Sequence, residues 1–372
     1  MSRAGLSFLR DPMNWLLAFI PVAVMLDRQG HVPAALTFAT AALAIVPLAA
    51  LLVRGTEQIA HRTGPAIGGL LNATFGNAPE LIIAIIALRA GQLDLVKASI
   101  AGSILGNLLF ALGLSFFVGG LRHHTQEFNA SGARTQSSLL MIAAISLIIP
   151  GMFHNFMTPE TIDLEQNLSN AVAVVLLLAY ASSLLFMLKT HPDYFAPERG
   201  GGHSEEGESW SLAMALGALL VSGVLLAFLS EILVGAVEET ARSLDMSKAF
   251  IGVIVLALVG GAAETYAALA MARKNQLDLT LGIAVGSSLQ IALFVAPVLV
   301  LSSFVIGPRP MDLVMGNAGS LIIFLAVLIT VMISSDGKSN WFKGLLLLCA
   351  YVLIALMCYF LPSNLATPPI GP

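Results

Sequence analysis

Residues 76–110 read GNAPELIIAIIALRAGQLDLVKASIAGSILGNLLF, and residues 260–294 read GGAAETYAALAMARKNQLDLTLGIAVGSSLQIALF. Laid over each other at a constant offset of 184 residues, without a gap, they agree at 14 of 35 positions. The shared residues include Gly76/Gly260, Glu80/Glu264, Arg89/Arg273, the run Gln92–Leu95 against Gln276–Leu279, and Gly102-Ser103 against Gly286-Ser287. Apolar composition supplies chance matches of Ala and Leu. It does not supply Gln-Leu-Asp-Leu, Gly-Ser and a glutamate in register, so the chain reads as an internal duplication.

The rest of the composition says where such a duplication sits. The 372 residues are 57% hydrophobic and 11% charged, with a mean hydropathy of +0.87, whereas soluble domains carry about 25% charged residues. A disordered chain is excluded by the same figures. Two cysteines build no disulfide framework. A net charge of −4 offers no basic footprint for nucleic acid. A polytopic membrane protein in a lipid bilayer remains. A spanning helix needs about 20 mostly apolar residues, and cutting the chain at its polar stretches gives eleven: 13–26, 33–53, 66–88, 95–118, 135–151, 168–188, 211–229, 249–272, 279–306, 312–333 and 342–361. The copies start in the third and eighth of these. Five spans separate them, an odd number, so the copies cross the membrane in opposite senses, as in secondary transporters with a midplane site. The expected fold is an all-α polytopic membrane protein of about eleven helices, made of two inverted-topology five-helix repeats plus an extra N-terminal helix. Its parts are the N-terminal helix (1–30), the first repeat (31–188), a linker (189–210), the second repeat (211–362) and a tail (363–372).

Positive charge sets the orientation. A cytoplasmic N-terminus places 12 of the 18 Lys and Arg inside, leaving Arg28, Arg89, Lys97, Arg242, Lys248 and Arg309 outside. Trp15, Trp210 and Trp341 each fall at the start of a span, where interfacial indoles belong. The short first span follows Arg3 and Arg10 as a signal peptide would, but no small-residue cleavage site follows Leu26, so it reads as a thin helix. The expected location is the cell (inner) membrane, with the C-terminus outside. Nothing in the sequence excludes a homo-oligomer. The cytoplasmic linker's Glu205, Glu206 and Glu208 read as a solvated acidic stretch, the alternative being a weak regulatory Ca2+ patch.

Glu80 and Glu264 lie close to mid-membrane, where a carboxylate is costly and marks function by default. Helix breakers precede both: Gly76 and Pro79 in one copy, Gly260 and Gly261 in the other. Broken backbone at that depth is tolerated where it lines a cavity, and carbonyls freed there are expected as cation ligands. The following span of each copy adds Ser103 and Asn107, or Ser287, Ser288 and Gln290. Ser288 serves equally well as helix packing; the other four are favoured as site residues opposite the glutamates. Carboxylates, amides, hydroxyls and carbonyls form an all-oxygen set suited to a hard cation such as Ca2+, with no His or Cys nearby to favour a softer metal. Cys349 and Cys358 read as packing residues, and His123 and His124 as loop residues. Burial and a like charge make ionisation of a carboxyl costly, so the pair should take up protons when no cation is bound and lose them when one is. A site that holds one or the other is an antiporter once access alternates. Glu57 and Glu239, 23 and 25 residues before Glu80 and Glu264, suggest entrance carboxylates at opposite membrane faces.

At GNAPE, GSILGN, GGAAE and GSSLQ, and also at 54–57, 69–80, 115–121 and 339–342, the chain resembles the cation/proton exchanger family of the Ca2+:cation antiporter superfamily, and bacterial Ca2+/H+ antiporters in particular. The resemblance implies eleven spans, inverted repeats, and Glu80 and Glu264 as the exchanged Ca2+/H+ site. Asn77, Ser103, Asn107, Ser287 and Gln290 fall on the family's polar positions. No cofactor is implied; Ca2+ and H+ are the substrates. The second copy departs from the family pattern, with Gly261 and Thr265 where Asn and His are usual.

Competing readings are a Na+/Ca2+ exchanger, or an antiporter of Mn2+ or monovalent cations for protons, on the same fold. A channel would want charge rings or a carbonyl filter. An enzyme would show a nucleophile or metal motif, and neither HExxH nor GxSxG occurs.

Overall fold

The computed structural model describes residues 12–29, 32–63, 65–156, 162–191 and 210–361. Among them, apolar runs with no water to hydrogen-bond their backbone close into helices, as a hydrocarbon solvent requires. The chain opens with a 3-10 turn, Pro12–Ala18, and helix α1, Phe19–Gln29. There follow α2 (Ala34–Thr63), α3 (Pro65–Phe75), α4 (Ala78–Arg89), α5 (Leu93–His123), α6 (Ala130–His154) and α7 (Asp163–Thr190). Beyond the linker come α8 (Leu212–Ser243), α9 (Lys248–Gly260), α10 (Ala262–Arg273), α11 (Leu277–Ile306), α12 (Gly316–Ser334) and α13 (Trp341–Phe360). Among the described residues, seven helices are long and apolar enough to cross a membrane, and α9 with α10 makes an eighth if the bent pair is one span. The remaining expected spans, 13–26, 66–88 and 312–333, fall on α1 with its leading turn, on α3 with α4, and on the shorter α12.

Helix starts follow their capping residues. Asn129 accepts from the N–H groups of Ser131 and Gly132, Ser211 from Met214, and Asn340 from Lys343. The turns after α4 and α10 carry Gly91 and Asn275, both in the left-handed region at φ 75° and 60°, which Gly and Asn adopt most readily. These two residues share the repeat offset.

Two expected spans are broken rather than continuous. The first breaks at Gly76–Asn77, so Pro79 falls in the first turn of α4, where no N–H is needed from it. The second breaks at Gly261, and the pieces meet at 58°. The long helices α2 and α8 lie side by side, α6 packs on α12, α13 on the second half of α5, and α7 on the second half of α11. A two-residue antiparallel pairing, Gln126 with Ser339 and Glu127 with Lys338, ties the loop after α5 to the loop before α13. Beside it Lys343 Nζ donates to Asp336 at 2.6 Å and to the carbonyls of Ile333 and Lys338. At the other end of the molecule Lys97 pairs with Asp312 at 2.6 Å. Trp210 ties the end of the linker to α2, its N–H donating to Gln58 and its carbonyl accepting from Arg62. Glu205, Glu206 and Glu208 lie outside the described residues.

Candidate functional site

Each broken span restarts as a helix whose third residue is a glutamate: Ala78-Pro79-Glu80 in α4 and Ala262-Ala263-Glu264 in α10. A helix N-terminus carries partial positive charge and favours an anion in its first turn. Both carboxylates are buried, at 5% and 7% exposure. Among the described residues, none of their four oxygens has a hydrogen-bond partner. Stable proteins rarely leave buried polar groups so, and such groups call for a functional reason.

Each break is approached by the other half of the chain. A Cβ placed on Gly260 would lie 3.3 Å from Glu80 Cγ and 3.6 Å from its Oε1, so the first copy's carboxylate lies against the second copy's break. Asn107 reaches the same break, its Oδ1 3.5 Å from where a Cβ on Gly261 would sit. In return Gln290 reaches the first break, its Oε1 accepting a hydrogen bond from Asn77 Nδ2. That leaves Asn77 Oδ1 without a partner and buried. Gly261 is not the free carbonyl the sequence suggests: it accepts both the N–H of Thr265 at 3.0 Å and its hydroxyl at 2.9 Å. Both lone pairs of that oxygen are engaged, because Thr265 stands one helical turn further on.

A cavity of about 520 Å³ runs from Glu57 to Glu264 and is lined by Ser287, Gln290 and Gly76 on the way. Asn77, Glu80, Ser103 and Asn107 are buried and do not line it. Ser103 sits one turn before Asn107 on α5. Glu239 is exposed on α8 and is not part of this cavity. Ser288 donates to the Ala284 carbonyl at 2.9 Å, a bond within its own helix that fits the packing role. His123 bonds the Arg273 carbonyl at 3.1 Å, Cys349 is exposed and Cys358 buried, all away from the centre. Sequence reasoning missed Asp278 and Tyr180, which also line the cavity. Asp278 was visible in the repeated Gln-Leu-Asp-Leu, but nothing in that run tells that it faces a cavity; its Oδ1 accepts from the Asn129 N–H at 2.7 Å. Tyr180 carried no signal within its apolar helix.

Fold and site together define a polytopic membrane protein with two buried carboxylates that, among the described residues, have no hydrogen-bond partner; one of them, Glu264, lines a cavity that extends to Glu57. The chain belongs to the sodium/calcium exchanger protein family, whose sequence profile matches residues 33–189 and again residues 214–360. It is 44% identical over 368 residues to a Ca2+/H+ antiporter of Aphanothece halophytica, covering 96% of this chain and 97% of the relative. It is also 44% identical over 346 residues to the Ca2+/H+ antiporter ChaA of Bacillus subtilis, covering 92% and 97%. The solved structure of native YfkE superposes with a TM-score of 0.81 at 41% identity, covering 94% of this chain and 100% of that one. The chain is a transporter and not an enzyme.

Proposed function

We propose that this protein exchanges Ca2+ for H+ across the membrane as a secondary active transporter. Glu80 and Glu264 hold either the cation or protons, and never both. The observation that carries the mechanism is the pair of buried carboxylates with four unpartnered oxygens, in a chain 44% identical to Ca2+/H+ antiporters over nearly its full length. Asn77, Asn107, Ser103, Ser287 and Gln290 supply neutral oxygens, giving the mixed all-oxygen set that Ca2+ takes at 6–8 ligands. Ca2+ and H+ are substrates, and no resident cofactor takes part.

In this reading the chain spans an inner membrane eleven times, N-terminus in the cytoplasm and C-terminus outside, and residues 31–188 and 211–362 are inverted repeats. Its support is the double match of the family profile, the equivalent left-handed turns at Gly91 and Asn275, and contacts that come in matched pairs, such as α13 on α5 and α7 on α11. Glu57 then marks the cytoplasmic mouth of the cavity and Glu239 the outer face. Sodium coupling is the weaker reading, since one carboxylate per half is enough for one divalent cation and leaves no set for several ions at once.

Reconstitution in liposomes tests this. Ca2+ uptake driven by an outward-directed proton gradient, without sodium, is expected in the parent and absent in E80Q and in E264Q. Uptake that needs sodium and ignores the proton gradient would overturn the proton reading.

A further inference from the structure

The two breaks are furnished differently. At the first, Asn77 and Gln290 meet as a hydrogen-bonded pair of amides. The repeat offset carries Asn77 onto Gly261 and Gln290 onto Gly106, so the second break has a glycine at each equivalent place. Neither glycine is demanded by its backbone. Gly261 stands at φ −83° and ψ 14°, close to Asn77 at −102° and 26°, and neither lies in the left-handed region that favours glycine. Gly106 is helical at φ −58° and ψ −45°, inside α5, where glycine costs stability relative to alanine.

Packing does not demand Gly106 either. It is buried, yet a Cβ on it would meet nothing within 4 Å outside its chain neighbours and its own helical backbone. Gly102, one turn earlier, shows what a packing glycine looks like: a Cβ there would lie 2.3 Å from the Val253 carbonyl oxygen. A buried glycine that neither backbone nor packing requires leaves room for something outside the chain. The residue beside it indicates what. Asn107 is 3% exposed, and its Nδ2 is buried with no acceptor among the described residues. Its Oδ1 lies 3.5 Å from where a Cβ on Gly261 would sit, and Glu80 Oε1 lies 3.6 Å from one on Gly260. An unpaired donor and an unpaired carboxylate beside one small space are the partners that a buried water takes, about two to four in number.

We infer that a water molecule seats between Gly106 and Gly261, accepting from Asn107 Nδ2 and donating to Glu80, and that it stays on the Ca2+ as one of its ligands. It takes the place that the Asn77 amide holds at the first break. The inference rests on the exchange reading for the cation, and on the repeat for bringing the two glycines together; the segment 106–111 packs on α10, which starts directly after Gly261. Gly106 and Gly261 are then specificity-determining residues. An amide oxygen is held by its backbone at a set place, whereas a water moves with the ion. Ca2+ accepts a flexible shell of oxygens, and with a water in that shell the site also adjusts to a smaller divalent ion such as Mn2+.

The first test is made on the purified protein without Ca2+. G106A adds one methyl group to the space. If a water holds it, the methyl displaces the water, leaves Asn107 Nδ2 buried and unpaired, and lowers the melting temperature. If no water is there, replacing a helical glycine by alanine raises it. In an N107L background, which has no amide to strand, G106A is expected to raise the melting temperature. The second test reads the cation in liposomes. G106A is expected to raise the Ca2+ concentration at half-maximal uptake about fivefold, and G261N to raise the ratio of the Mn2+ to the Ca2+ half-maximal concentration by about as much, because a fixed amide replaces the mobile ligand. G106A melting above the parent would overturn the water, and G261N leaving the ratio unchanged would overturn its place on the cation. A parent that fails to exchange Ca2+ for protons would overturn the functional reading instead, and the melting comparison would still decide the water.

Discussion

At the scale of single residues, the account turns on why two carboxylates persist where burial is costly. Their helix N-termini offset part of the cost, and a divalent cation or protons neutralise the remainder. Gln290 is the residue whose removal reads most directly on the cation. Its hydrogen bond orients Asn77 so that Oδ1 stays free. In Q290L the Asn77 amide loses that partner, and the Ca2+ concentration at half-maximal uptake is expected to rise about tenfold, near 1.4 kcal/mol. An unchanged half-maximal concentration would remove Gln290 from the site. Thr265 tests the second break: in T265V the Gly261 carbonyl loses one of its two donors, and the expected result is tighter Ca2+ binding, read by calorimetry. At this scale the sequence was informative. Glu80 and Glu264 stand out because a glutamate recurs at the repeat offset, and Asn107 and Gln290 because an amide is conspicuous in an apolar helix. The engagement of the Gly261 carbonyl could not, since it depends on the rotamer of Thr265. Nor could the division of the polar set into a part that lines the cavity and a part that does not.

Among elements, the two broken spans matter most. Gly and Pro mark both breaks: Pro79 crowds the carbonyl four residues before it, and the chain parts on that side, with the proline in the first turn of α4. The break at Gly260–Gly261 also makes room for Glu80. G260A would press its Cβ to 3.3 Å from Glu80 Cγ, and Ca2+ uptake is expected to fall about threefold, a cost under 1 kcal/mol. A second prediction concerns the clasp between α12 and α13. Partial burial pushes Asp336 up, but hydrogen bonds from Lys343 Nζ and the Lys338 N–H outweigh it and hold the carboxyl below its usual range. A group lowered in this way stabilises the fold above the ordinary carboxylate range, and the effect is lost as pH falls through the lowered value. Asp336 is half-exposed, so D336N should cost less than about 1 kcal/mol. Its melting temperature should lie below the parent's at neutral pH and meet it in acid. The two-residue strand pairing beside this clasp had no sequence signal, because so short a ladder is set by the loops that bring it together.

For the whole molecule, the class of fold followed from composition and from the spacing of hydrophobic runs, and the duplication from register. What the linear chain could not give is the end from which the cavity enters, because the repeated motifs stand in both halves. The central claim is that Ca2+ and protons compete for one pair of carboxylates. The most direct measurement is proton release into a weakly buffered detergent solution of the purified protein when Ca2+ is added. The account predicts release in the parent, less in E80Q and in E264Q, and none in the double variant. Saturable Ca2+ binding by the parent with no proton released would contradict it.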